Sequence, residues 1–156
     1  MEDHKPAIGI TSDVGSGMHI VQLDYDGKTL DEVEKDVNYL IEEFSLGEAF
    51  LYKTNHGFHV KFYYDEITYK KYQKILCDSA CDESFVLNTT YDGYSTLRLC
   101  GKYKGKNDIK FVKTVKSIKF IGKRQKKIGL ERKEFDEGLM GLHPLLGGNG
   151  YVQSES

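Results

Sequence analysis

The sequence predicts an α/β domain of the α+β kind: a split βαβ sheet, ferredoxin-like or RRM-like, with two helices on one face, an N-terminal hairpin and extra C-terminal strands. Three observations predict it. Leu30, Val33, Val37, Leu40, Ile41 and Phe44 repeat at helical spacing, and Tyr72, Ile75, Leu76 and Ala80 do so in a second segment. The runs FHVKFYY (58–64) and STLRLC (95–100) alternate apolar with polar residues, as half-buried strands do. Taken in order, the core reads strand, helix, strand, strand, helix, strand, which is the split βαβ order.

The elements follow in turn. Ala7 to Thr11 and Met18 to Asp26 flank the glycine-rich SDVGSG (12–17) and read as a hairpin. Thr29 and Glu32, three residues apart, form a capping box for the first helix, and Gly47 is placed just past its end. Ala49 to Thr54 is a strand, Asn55-His56-Gly57 a turn, and Phe58 to Tyr64 the next strand. Thr68 caps the second helix. Phe85 to Leu87 is expected as a short strand, Ser95 to Cys100 as another, and Ile109 to Ile121 as one or two lysine-rich strands. After Gly122 no period persists and glycine recurs, so the chain is expected to be a single domain over 1–146 with a flexible tail over 147–156.

Composition sets the outer limits. With 39% hydrophobic residues, the 156-residue chain can bury one core. No apolar run approaches the ~18 residues of a membrane span, and the opening MEDHKPAIGI is too polar for a secretory signal. A cytoplasmic protein with no membrane partner is therefore expected. Cys77, Cys81 and Cys100 are an odd set at unlike spacings and read as reduced thiols; Cys77 and Cys81 lack the second pair that structural zinc takes. The charge is uneven. Residues 101–133 hold 13 Lys/Arg against Asp108 and Glu131, a local net of +11 in a chain whose total is −2. Because these lysines alternate with Ile, Phe and Val, the block reads as a folded surface for a polyanion, with Lys104, Lys106, Lys110 and Lys113 as nucleic-acid contacts.

Strand parity then gathers the polar residues. On VQLDYD (21–26), Val21, Leu23 and Tyr25 face the helices, while Gln22, Asp24 and Asp26 face the other way. His59 and Lys61 share that second face on the third strand, and Arg98 shares it on a later one. With both helices on one side, the face holding Asp24, Asp26, His59, Lys61 and Arg98 is expected to be open. Paired carboxylates suit a hard cation, Mg²⁺ or Mn²⁺, and His, Lys and Arg suit phosphate. That is the equipment of phosphoryl or nucleotidyl transfer.

These residues resemble the archaeo-eukaryotic primase superfamily, the primase-polymerases of plasmids and viruses included. VQLDYD (21–26) looks like its first motif, apolar residues followed by D-x-D, and TNHGFHVKF (54–62) like its second, a turn and then a histidine on a strand. TTYDGYSTLRLCGKYKGK (89–106) looks like its later basic segment. The resemblance covers roughly residues 18–106 and implies a nucleotidyltransferase that extends a chain on a template with divalent metal. Its partners would be a nucleoside triphosphate, single-stranded or primed DNA and a replication helicase, in the host cytoplasm if the source is a virus or other mobile element. Carried over by position, Asp24 and Asp26 are catalytic metal ligands. His59 contacts the phosphates of the incoming nucleotide, joined by Lys61, Arg98 and Lys102. Where the third metal-binding carboxylate is expected the chain reads FVLN (85–88). Asp92 is taken for that role, with Asp82 the other acid nearby.

Two other classes fit parts of the pattern. A catalytically inactive RRM-like module would bind nucleic acid on the open sheet face, although parity buries Phe58 rather than exposing it for stacking. A replication-initiator nuclease would need His56 and His59 together with Tyr69 or Tyr72, yet histidines three apart on a strand face opposite ways.

Overall fold

The computed structural model describes residues 8–100 and 109–141. Its elements are β1 (Gly9–Thr11), β2 (Asp13–Gly15), β3 (Met18–Asp26), α1 (Leu30–Phe44), β4 (Ala49–Lys53), β5 (Gly57–Thr68), α2 (Tyr69–Asp78), α3 (Glu83–Asp92), β6 (Thr96–Arg98), β7 (Lys110–Val115) and α4 (Lys123–Leu139). Five strands make an antiparallel sheet in the order β2-β3-β5-β4-β7, and β1 pairs with β6 in a separate ribbon. The neighbours β3, β5 and β4 are the first, third and second strands of the split βαβ unit, so the α+β ferredoxin-like arrangement holds. Among the described residues, no helix is long and apolar enough to cross a membrane.

The first helix forms where local chemistry places it. Thr29 accepts from the Glu32 N–H at 3.2 Å and Glu32 accepts from the Thr29 N–H at 2.9 Å, which satisfies donors that the first turn leaves open. Its apolar stripe, Val33, Val37, Leu40 and Ile41, packs on Val21, Leu23 and Tyr25 of β3 and Val60 and Phe62 of β5. Tyr72, Ile75 and Leu76 of α2 join the same core, after Thr68 accepts from the Lys71 N–H. The end of α1 differs from expectation: Ser45, at φ 54°, makes the left-handed turn. Gly47 serves close packing instead, since a Cβ there would lie 3.1 Å from Ile121 Cδ1.

Three later segments also differ. Phe85 to Leu87 lies inside α3 rather than in a strand. β6 leaves the main sheet for β1, so the place beside β3 goes to the short β2. And α4 stands where no helix was expected. It escapes the apolar pattern because its buried residues are Gly129, Asp136 and Gly138. Gly129 packs against the β5 segment Tyr63–Asp65, which the register between β3 and β5 skips.

That helix covers part of the sheet face expected to be open. Lys61 is fully buried beneath it, its Nζ 2.8 Å from Asp136 Oδ2, and the Tyr63 hydroxyl donates to the same oxygen at 2.9 Å. Burial lowers the Lys61 pKa and Asp136 opposes the shift. Lys61 thus anchors α4 and is no phosphate ligand. The roles expected of Lys102, Lys104 and Lys106, and the flexible tail expected over 147–156, fall outside the described residues.

Two substitutions test this docking. An alanine in a helix ordinarily gains ~1 kcal/mol over glycine. At Gly129, however, the added carbon falls 2.4 Å from Tyr64 Cδ1 and 2.7 Å from the Tyr63 carbonyl oxygen. Gly129→Ala is therefore expected to destabilise by about 1–3 kcal/mol in chemical denaturation; a gain in stability would mean that α4 does not pack there. Lys61→Ala is expected to cost about 3–5 kcal/mol by stranding Asp136. Lys61→Met combined with Asp136→Leu should recover most of that loss in the same assay.

Candidate metal centre

β3 ends in Leu23-Asp24-Tyr25-Asp26. Tyr25 turns into the core, where its hydroxyl donates to Asp36 Oδ2 at 2.7 Å. Asp24 and Asp26 turn the other way, as strand alternation requires. The register sets Asp24 opposite His59 on β5, and His59 Nε2 lies 3.6 Å from Asp24 Oδ1. His59 is buried, Asp24 partly exposed and Asp26 exposed. Gly57, opposite Asp26, lets the strands close at this end: a Cβ there would lie 1.7 Å from the Tyr25 carbonyl oxygen.

A third carboxylate arrives from the loop between α2 and α3. The Asp82 N–H donates to the Asp24 carbonyl at 2.8 Å, and the Asp26 N–H donates to Asp82 Oδ1 at 2.9 Å. Asp82 stands at the N-cap of α3 but leaves that helix without a side-chain cap, because its carboxylate is held by β3. The loop is fixed from behind. The Ala80 N–H donates to Asp36 Oδ2 at 2.8 Å, and Ser79 Oγ donates to the Leu76 carbonyl at 2.8 Å. Asp36 thereby ties Tyr25 and the Asp82 loop to one carboxylate.

Asp24, Asp26 and Asp82 each present an oxygen, and these atoms all lie within 4.8 Å of one another. Two oxygens on one Mg²⁺ stand at most ~4.2 Å apart, twice its ~2.1 Å bond. Only one pair of the three can stand opposite each other on an octahedral ion, and neighbouring oxygens lie ~3.0 Å apart, so the side chains would rotate inward by about an ångström to share one ion; an all-oxygen anionic donor set suits Mg²⁺ or Mn²⁺. The electrostatics carry the cost of the arrangement. Asp24 is pushed up to about 7, first by burial and then by Asp26 and Asp82, with Arg98 opposing. Asp82 is also raised, chiefly by burial.

The expected residues are thus partly brought together. Asp24, Asp26 and His59 share one end of the sheet, and the Arg98 charge reaches Asp24 from the ribbon, where its Nη1 donates to the Cys100 carbonyl at 2.9 Å. Asp92, chosen as the third ligand, is exposed at the far end of α3, about 15 Å of helix from Asp82 at 1.5 Å per residue. Asp82 takes the place beside Asp24 and Asp26. The signal for it was an acid three residues before the buried Phe85, which fits a helix N-cap better than a strand. Lys110 and Lys113 lie on the edge strand β7, where Lys113 Nζ pairs with Glu34 Oε1 at 3.0 Å.

Residues of the competing readings are engaged elsewhere. His56 is exposed in the turn while His59 is buried. The Tyr72 hydroxyl is buried and donates to the Gln22 carbonyl at 2.5 Å. His19 is buried against Tyr69 and Tyr72, with Nδ1 2.8 Å from Ser12 Oγ. Cys77 is exposed and Cys81 buried, and burial pushes the Cys81 thiol up to about 11. α4 occupies sheet surface that an RRM-like module would use for bases. Comparison of the chain with known protein families, with curated proteins and with solved structures finds no match.

The raised Asp24 value has a sign that can be checked. Its folded pKa of about 7 lies above the unfolded 3.8, so its contribution to stability is complete below the unfolded value and is lost as pH rises through about 7. In the metal-free protein, Asp24→Asn is expected to raise the melting temperature over wild type by an amount that grows between pH 5 and about pH 8. An advantage that stays constant with pH would remove Asp24 as the strained carboxylate.

Proposed function

We propose that the protein is a primase-like nucleotidyltransferase that uses Mg²⁺ or Mn²⁺ to join a nucleoside triphosphate to a primer on a nucleic-acid template. The observation that carries this reading is the delivery of Asp82 to Asp24 and Asp26. It supplies the third carboxylate that the sequence resemblance requires and that FVLN (85–88) lacks.

Each residue has a chemical task in this reading. Asp24, Asp26 and Asp82 hold the cation, which offsets both the burial of Asp24 and the repulsion from its two acidic neighbours that raise its pKa. When bound, the ion supplies charge stabilisation to the triphosphate and a lowered pKa to the attacking primer hydroxyl. His59, beside Asp24, donates to a phosphate oxygen from a position that the β3–β5 register fixes. Arg98 brings positive charge to the same edge, where negative charge accumulates on the transferring phosphoryl group. Asp36 positions Asp82 by holding its loop. Lys61 takes no part, because it is committed to Asp136.

Calorimetric titration with Mn²⁺ and primer extension on the same samples test the reading. Asp24→Ala and Asp82→Ala are each expected to weaken Mn²⁺ binding at least tenfold and to abolish extension, whereas Asp92→Ala leaves both unchanged. Equal Mn²⁺ affinity in wild type and Asp82→Ala would sink the assignment of Asp82. Metal binding without extension by the wild type would make the centre one of nucleotide binding alone.

A further inference from the structure

Between β7 and α4 the chain runs as a strap outside helix and strand, residues 116–122. Alternate residues fasten it to the body. Ser117 Oγ donates to the Leu46 carbonyl at 2.6 Å, Lys119 Nζ lies 2.7 Å from the buried Asp65, and Ile121 packs over Gly47. The residues between them face solvent: Ile118 is fully exposed and Phe120 is 87% exposed. An anchored segment that holds an isoleucine and a phenylalanine in water forgoes the burial that such side chains ordinarily gain on folding. Beside the strap, a cleft of about 600 Å³ opens toward the end of α1, with Ile41, Leu46, Lys116 and Ile118 in its walls.

The charge around the strap is of one sign. Residues 109–130 hold eight Lys/Arg and no Asp or Glu. Lys116 and Lys119 approach Glu48 and Asp65. Lys123, Arg124 and Lys126 on the first turn of α4, and Lys127 after them, are exposed and make no ion pair among the described residues. Ile118 and Phe120 are two residues apart, so their Cα atoms stand at most about 7 Å from one another. With cations on either side, they match a polymer that alternates flat apolar groups with anions.

We propose that the strap and the start of α4 form a binding strip for single-stranded nucleic acid, with Ile118 and Phe120 receiving unpaired bases and Lys116, Lys123, Arg124 and Lys127 receiving phosphates. The inference deepens the proposed function and rests on it for the choice of nucleic acid over an anionic membrane. A duplex has no unpaired base to offer Phe120, so the strip selects single strands. It lies by the start of β4, at the sheet end away from Asp26 and Gly57, so a strand bound there leaves the carboxylates free.

Fluorescence anisotropy with a labelled oligothymidylate tests the strip, with a duplex and phosphatidylserine vesicles measured alongside. Phe120→Ala, an exposed change that leaves the core intact, is expected to weaken single-strand binding roughly tenfold and duplex binding hardly at all, and Phe120→Trp to restore it. Lys123→Ala with Lys127→Ala should flatten the salt dependence of binding. Unchanged single-strand affinity in Phe120→Ala, no oligonucleotide binding by the wild type, or binding to vesicles in its place overturns the proposal. Mn²⁺ titration of the same variants separates the two readings. Phe120→Ala keeps the metal site, and Asp24→Ala keeps the strip, so each can fail alone.

Discussion

The outer edge of β3 is the constraint on which the candidate centre depends. β2 accompanies this strand only at Met18 and His19. Beyond that, each outward backbone group must find its own partner, since an unpaired group at the margin of a core costs about as much as a lost hydrogen bond. Ser12 takes the Ile20 N–H, the Tyr72 hydroxyl serves both the N–H and the carbonyl of Gln22, and Asp82 serves the Asp24 carbonyl and the Asp26 N–H. The partners come from the N-terminal ribbon, from α2 and from the loop before α3. Satisfying the backbone therefore carries a third carboxylate to the two that the strand already presents.

The same economy shapes the polar network behind Tyr72. Ser95 Oγ meets the Tyr72 hydroxyl at 2.8 Å and donates to Gln22 Oε1 at 2.8 Å, while the Ser95 N–H donates to Ser12 Oγ at 3.0 Å. Groups from four parts of the chain thus close one buried polar cluster. It fixes the β1–β6 ribbon against β3, and that ribbon holds Arg98 near Asp24.

On the opposite half of that sheet face the solution is ionic. Lys61 is removed from water only because Asp136 and Tyr63 meet it, and Glu66 binds Arg132 at 2.7 Å along the same helix. A helix held by paired charges and by the close approach of Gly129 divides the face in two. One half is sealed, and the other holds Asp24, Asp26 and His59. Like charges crowd there, and a divalent cation is the physical means of relieving them.

The sequence by itself determined the elements whose signals are local. The Thr29–Glu32 box and apolar stripe specified α1, Thr68 specified the start of α2, and alternation set the facing of β3 and β5, hence the meeting of Asp24, Asp26 and His59. Tertiary structure decided the rest. α4 buries glycines and an aspartate, so hydrophobic period could not reveal it, and Lys61 read as exposed until its partner 75 residues away was in place. Asp82 joined the carboxylates through its own N–H, which almost any residue could offer, and through a carboxylate oxygen that Asp92 carries as well, and this is why the composition around it pointed no more to Asp82 than to Asp92. Local pattern records what a residue does to its own segment; the company it keeps depends on which distant backbone groups still need a partner.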